Sequence, residues 1–173
     1  TKITKSADIV DGMSGFLGAH AIKTNDTPPT DYGLQLVTGF ATYGVGYTTE
    51  YIYDETSKEL SLKDSENKYV AQEFTFEATT GGFHIKQGDK YLIGTGIIDN
   101  KKVKQGLALA DAPAQPWVFT DDAEGMIATT SASGEIDGQS FNYPQIYMLC
   151  ATTAKSAYVD SSYGKGFWFF KKN

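Results

Sequence analysis

The sequence contains no arginine: all 15 of its basic residues are lysine, set against 21 acidic residues for a net charge of −6. Arginine is the planar fork that grips phosphate and carboxylate and reads the guanine edge with two hydrogen bonds. An acidic chain without it offers little to a nucleic acid, where affinity rests on neutralising phosphates. Nucleotide phosphates and acidic glycans are disfavoured on the same ground. There is one cysteine, Cys150, so no disulfide can form within the chain. It closes the apolar run Ile146-Tyr147-Met148-Leu149-Cys150 and reads as a small buried hydrophobe. Histidine is limited to His20 and His84, and neither belongs to a local metal-ligand spacing such as His-x-x-x-His. No stretch approaches the ~18 consecutive apolar residues of a membrane-spanning helix. The expectation is a chain with no metal, no cofactor, no nucleic acid partner and no membrane-spanning segment. It opens on Thr1-Lys2 rather than Met, and its character suits a secreted or cell-surface protein whose signal peptide or upstream region is absent here.

What the chain has in quantity is strand-forming sequence. Of its 173 residues 40% are hydrophobic and 13% aromatic, ample for the core of one domain over residues 1–173. Period-2 alternation recurs in Leu34-Gln35-Leu36-Val37, Tyr51-Ile52-Tyr53, Leu60-Ser61-Leu62, Phe74-Thr75-Phe76 and Phe83-His84-Ile85. Between such runs lie the turn signals Asp64-Ser65-Glu66-Asn67, Gly81-Gly82, Gln87-Gly88-Asp89 and Asp137-Gly138. Residues 1–50 are the least patterned part, and Asn25 to Asp31, with two prolines, reads as a loop. The best helical candidates are short: Ser6 to Met13, with Ser6 as a cap, and a turn at Ala112 to Gln115.

Internal repetition carries more information. Gln72-Glu73-Phe74-Thr75-Phe76, followed by Phe83-His84-Ile85, has a partner in Gln115-Pro116-Trp117-Val118-Phe119, followed by Gly125-Met126-Ile127. A fainter copy, Tyr51-Ile52-Tyr53 leading to Leu60-Ser61-Leu62, precedes them, and the chain ends on the aromatic strand Phe167-Trp168-Phe169-Phe170. Each unit reads as a hairpin whose apolar side its neighbours must cover, and closure into a barrel would leave no free edge. The element Gln115-Pro116-Trp117 with Gly125-Met126-Ile127 behind it resembles the Gln-x-Trp signature of ricin-type β-trefoil lectins. The stretch Phe83 to Leu92, with the aromatic strand Phe167 to Lys171, also resembles secreted all-β modules of glycan-foraging gut bacteria. The likeness spans residues 51–171 and implies a barrel-like or β-trefoil-like fold, with a β-sandwich as the second choice. The residue before each Gln is Ala71 or Ala114, where the lectin pattern often carries a sugar-binding Asn, so the likeness does not extend to that sugar site. In the motif the Trp is usually packing, and Trp117 is read as core together with Phe74, Phe76, Phe83, Ile85, Tyr91, Leu92, Leu107, Leu109, Phe119, Ile127 and Phe169.

A search for catalytic groups finds none to name. Gly12-Met13-Ser14-Gly15 lacks the spacing of a nucleophile elbow. The acidic clusters Asp54-Glu55, Asp64-Glu66 and Asp121-Asp122-Glu124 fall in turns, where carboxylates are commonplace. Gly94-Thr95-Gly96 and Gly44-Val45-Gly46 lack the third glycine and the helix that phosphate binding needs. Aromatic excess remains: 11 tyrosines, several beside turn-forming residues. Tyrosine pairs a flat apolar face with a polar edge, suited to stacking on sugars or partner proteins. The candidate ligand-binding pairs are Tyr143 with Asn142, Tyr163 with Asp160, and Asp99 with Asn100, with Tyr43 and Tyr47 as a separate patch. All are expected in loops. The function expected is a non-catalytic extracellular module for a neutral carbohydrate; the alternative is a structural or adhesive cell-surface domain that contacts protein.

Overall fold

The computed structural model describes residues 2–21, 30–36, 39–40, 45–54, 59–62, 73–122, 125–150, 157–160 and 167–172, with side chains described within 2–15, 73–121, 125–147 and 167–172. In chain order these residues form β1 (Lys2–Ile3), a 3-10 turn at Ser6–Asp8, β2 (Ser14–Ala21), β3 (Thr30–Leu36), β4 (Gly39–Phe40), β5 (Val45–Asp54), β6 (Glu59–Leu62), β7 (Phe74–Thr79) and β8 (Gly82–Gln87). There follow β9 (Lys90–Asp99), β10 (Lys102–Ala110), β11 (Val118–Asp122), β12 (Gly125–Ile136), β13 (Gln139–Cys150), β14 (Ala157–Asp160) and β15 (Trp168–Lys171). The fold is all-β, and every strand pairing is antiparallel. Among the described residues no helix is long and apolar enough to cross a membrane.

The hairpins lie where the turn residues place them. β7 and β8 turn at Thr80-Gly81, β8 and β9 at Gly88-Asp89, and β12 and β13 at Asp137-Gly138, where both residues are left-handed (φ 51° and 74°). β5 pairs with β6, joining the two halves of the faint copy. The helix expected over Ser6 to Met13 shortens to a single 3-10 turn that no side chain caps. It ends where Ile9 becomes extended, and a turn at Asp11-Gly12, with Gly12 at φ 80°, follows. The Ser6 N–H donates to Asp121 Oδ1 at 2.7 Å instead, and that bond holds the Asp121 carboxyl below its ordinary value. The turn expected at Ala112 to Gln115 is non-helical. Of the expected loop at 25–31, Thr30 and Asp31 begin β3, and 25–29 lie outside the described residues.

Strand pairing produces two sheets, and neither closes on itself among the described residues. The larger has eleven strands in the order β4-β10-β9-β8-β7-β2-β3-β5-β6, with β15 joining β1 to β2. The smaller runs β11-β12-β13-β14. Two single bridges link them, Phe83 with Trp117 and Met126 with Phe167.

The core draws residues from both sheets. Phe74, Phe76, Ile85, Leu92, Leu107, Trp117 and Phe169 are buried as expected, with Phe83, Leu109 and Phe119 packed against them. Phe76 is a hub, its ring 4.5 Å from Phe169, 5.3 Å from Phe119 and 6.3 Å from Phe83. Two expected core residues are not in this cluster, for one reason. Successive strand residues face opposite sides, so Leu92 inside puts Tyr91 outside, and Met126 and Ala128 inside put Ile127 on the other face. Tyr91 belongs to an outer-face group: its hydroxyl donates to Glu77 Oε1 at 3.3 Å, Lys86 lies over its ring at 5.2 Å, and His84 meets it edge-on. His84 thus faces away from Phe83 and Ile85, as alternation requires.

Trp117 is wholly buried, and its indole N–H donates to the Leu92 carbonyl at 2.9 Å. Trp117→Ala is expected to cost about 3–5 kcal/mol through the cavity it leaves. Chemical denaturation reads this directly, and a variant melting like the parent would remove this residue from the core.

Candidate functional site

The site begins with a packing conflict. β9 and β10 pair along their whole length, and one face of β9 carries Leu92, Gly94 and Gly96. Glycine weakens a strand but lets another layer approach closely. A Cβ at Gly94 would come within 2.6 Å of Ile146 Cδ1, and one at Gly96 within 2.8 Å of Phe141 Cδ1. Both contacts come from β13 and cover the same face of β9. In an unbroken strand Ile146 and Phe141, an odd number of positions apart, would point to opposite faces.

A bulge resolves the conflict. Thr130 stands opposite Ile146 and Ala132 opposite Tyr143, so Pro144 and Gln145 together face Ser131. Proline has no N–H for the ladder and is tolerated within a sheet at such a bulge. The extra residue flips the facing of everything before it. Phe141 then shares the inward side with Ile146, and the Tyr143 ring stacks on it at 5.3 Å and 23°. Tyr143 packs against the core, and burial raises its phenol above the ordinary value.

Beside this bulge lies a cleft of about 520 Å³, within the ~300–1,000 Å³ of small-molecule sites. Its walls are Ile93–Thr95 of β9, Pro113–Gln115 of the β10–β11 loop, Ser131–Ser133 of β12, and Phe141 with Asn142 of β13. None of these residues is charged or titratable. The loop wall meets an exposed ion pair at its start and is anchored by backbone hydrogen bonds at its end. Lys90 pairs with Asp111 at its start, drawing the Asp111 carboxyl below its usual range and the Lys90 amine above its own. At its end Trp117 exchanges backbone hydrogen bonds with Phe83 at 2.7 and 2.9 Å. Between them the buried Thr130 hydroxyl lies 3.0 Å from the Pro116 carbonyl and 3.2 Å from that of Gln115.

The candidate residues divide accordingly. Asn142 lines the cleft, and Tyr143 backs its aromatic wall through Phe141. Both lie within β13, not in the loop expected from Pro144, because the bulge absorbs the proline. Asp99 ends β9, ion-paired to Lys104 at 2.8 Å, and Asn100 is exposed in the next turn at φ 48°. That turn is tied to β13 by Gln139, whose Nε2 donates to the Lys101 carbonyl at 2.8 Å; it forms no part of the cleft wall. Tyr47 falls in β5 and Asp160 in β14, opposite Tyr147, so these too are strand residues. Their side chains, and Tyr43 and Tyr163 entirely, lie outside the described residues.

Thr95, Gln115, Ser131, Ser133 and Phe141 were not among the candidates. Gln115 stands in the repeated motif, and Phe141-Asn142-Tyr143 alternates as a strand should, so both carried a signal. The two serines carried none. No family model, curated protein or solved structure matches this chain.

Gly96→Ala tests the packing that builds the cleft. The added methyl meets Val103 at 2.7 Å and the Phe141 ring at 2.8–2.9 Å, so a cost of about 1–3 kcal/mol is expected from overpacking. Chemical shifts of Phe141 and Asn142 are expected to move with it. A variant of parental stability with those signals unmoved would refute the close approach.

Proposed function

We propose that the chain is a barrel-like, β-trefoil-like domain serving as a non-catalytic, secreted or cell-surface module that binds neutral carbohydrate in the cleft of Asn142, Gln115 and Phe141. The architecture is supported by following the pairings from strand to strand. β2 pairs with β7, β7 with β8, β8 meets β11 through Phe83 and Trp117, β11 pairs with β12, β12 meets β15 through Met126 and Phe167, and β15 pairs with β2. The β3–β5, β9–β10 and β13–β14 pairs are each inserted between two successive strands of that circuit. Phe74, Trp117 and Phe167 take corresponding places, opposite Gly15, Phe83 and Met126. This supports a third copy of the motif that the sequence alone did not make legible.

The observation that carries the ligand class is the lining: amide and hydroxyl side chains with one aromatic ring, and no charge. Neutral sugars present hydroxyls and apolar C–H faces, which such a surface matches in kind. Affinity on the order of 0.1–1 mM is expected for so open a site, with little dependence on salt because no ion pair carries it.

A glycan array identifies the hit, and calorimetry with Asn142→Ala tests the site. Asn142 is exposed, so the melting temperature is expected to hold while affinity falls about threefold or more through the lost hydrogen bond. Binding unchanged by the substitution would remove this cleft. A silent array with capture of a surface protein in a pull-down would favour the adhesive alternative instead.

A further inference from the structure

The cleft lining has a composition more specific than neutrality. Among the described residues it holds two primary amides, Gln115 from the loop and Asn142 from β13, and no carboxylate. Beside them is small apolar surface from Ala114, Ala132 and the Pro113 ring. Charge-assisted acceptors are the strong partners for hydroxyl protons, and a plain hexose finds none here. A primary amide offers donors and an acceptor in one planar group. It is matched by another amide.

We infer that the cleft selects sugars bearing an acetamido group, the N-acetylhexosamines, over the parent hexoses; this rests on the neutral-carbohydrate reading above. The acetamido group presents an N–H, a carbonyl and a methyl together. The N–H meets a side-chain amide oxygen, the carbonyl meets an amide NH2 or a serine hydroxyl, and the methyl meets Ala114, Ala132 and Pro113. A hexose hydroxyl at the same carbon satisfies one of these three and leaves the apolar surface wet. A free amine is worse placed, because its ammonium finds no carboxylate in the wall. Selection needs walls that do not adapt, and the loop carrying Ala114 and Gln115 is held at its end by the Trp117–Phe83 hydrogen bonds and by Thr130 on the Gln115 and Pro116 carbonyls.

The test titrates the intact chain calorimetrically with N-acetylglucosamine, N-acetylgalactosamine, glucose, galactose and glucosamine. At least one acetylated sugar is expected to bind about tenfold or more tightly than its parent hexose, and glucosamine no better than glucose. The double variant Gln115→Ala/Asn142→Ala, changed only at exposed positions, is expected to erase the preference with its melting temperature intact. Ala114→Leu, which fills the methyl seat and removes no polar group, is expected to weaken the acetylated sugars selectively. Equal affinity for hexoses and their acetylated forms would overturn acetamido selection and leave the neutral-carbohydrate reading standing. A preference that survives both variants would place acetamido recognition elsewhere and overturn the inference for this cleft. Failure of every sugar here and on the array would overturn both readings.

Discussion

The indole of Trp117 is wholly buried yet carries an N–H that cannot be left unpaired in an apolar interior, and the Leu92 carbonyl meets it at 2.9 Å. That bond ties the start of β11 to β9 across the core. The backbone of the same residue closes two hydrogen bonds with Phe83, one of the two single bridges between the sheets. The preceding residues, Pro113 to Pro116, therefore leave the core from a fixed point, with the Thr130 hydroxyl donating to the Gln115 and Pro116 carbonyls. A connecting segment with two prolines and a pinned end loses little freedom when a ligand arrives. The same interaction that completes the core thus sets one wall of the cleft.

The opposite wall comes from two local departures from ideal strands. Gly94 and Gly96 forgo side-chain packing on β9, and the bulge at Pro144-Gln145 forgoes a regular ladder on β13. Each alone would weaken its strand. Together they fit: the glycines make room for Ile146 and Phe141, and the bulge turns both toward that room. Phe141 is then supported from behind by the Tyr143 ring, so its position in the cleft is set by packing rather than by a loop.

Charge is kept away from this place. None of the residues lining the cleft is charged, and charged side chains described elsewhere form exposed or partly exposed pairs, such as Lys86 with Glu77, Lys104 with Asp99 and Lys172 with Glu73. Such pairs contribute little to stability in water and serve solubility more than fold.

Alternation, turn residues and aromatic repetition were enough to read an all-β chain, hairpin turns at Gly88-Asp89 and Asp137-Gly138 and one beginning a residue before the expected Gly81-Gly82, and most of the buried aromatics around Trp117. These features are local, since a strand's period and a turn's φ are decided by neighbours in the chain. Where the reading slipped, alternation itself holds the correction: Tyr91 cannot share a face with Leu92, nor Ile127 with Met126. The cleft was not legible in the same way. Asn142 and Tyr143 were noticed for their chemistry but placed in a loop, because a proline within a strand is indistinguishable in sequence from a proline that ends one. Ser131, Ser133 and Thr95 are ordinary strand residues until a bulge and a pair of glycines bring three separate segments to one place. Only the packing of β9 against β13, a contact between residues about fifty positions apart in the chain, decided that these side chains form a surface at all.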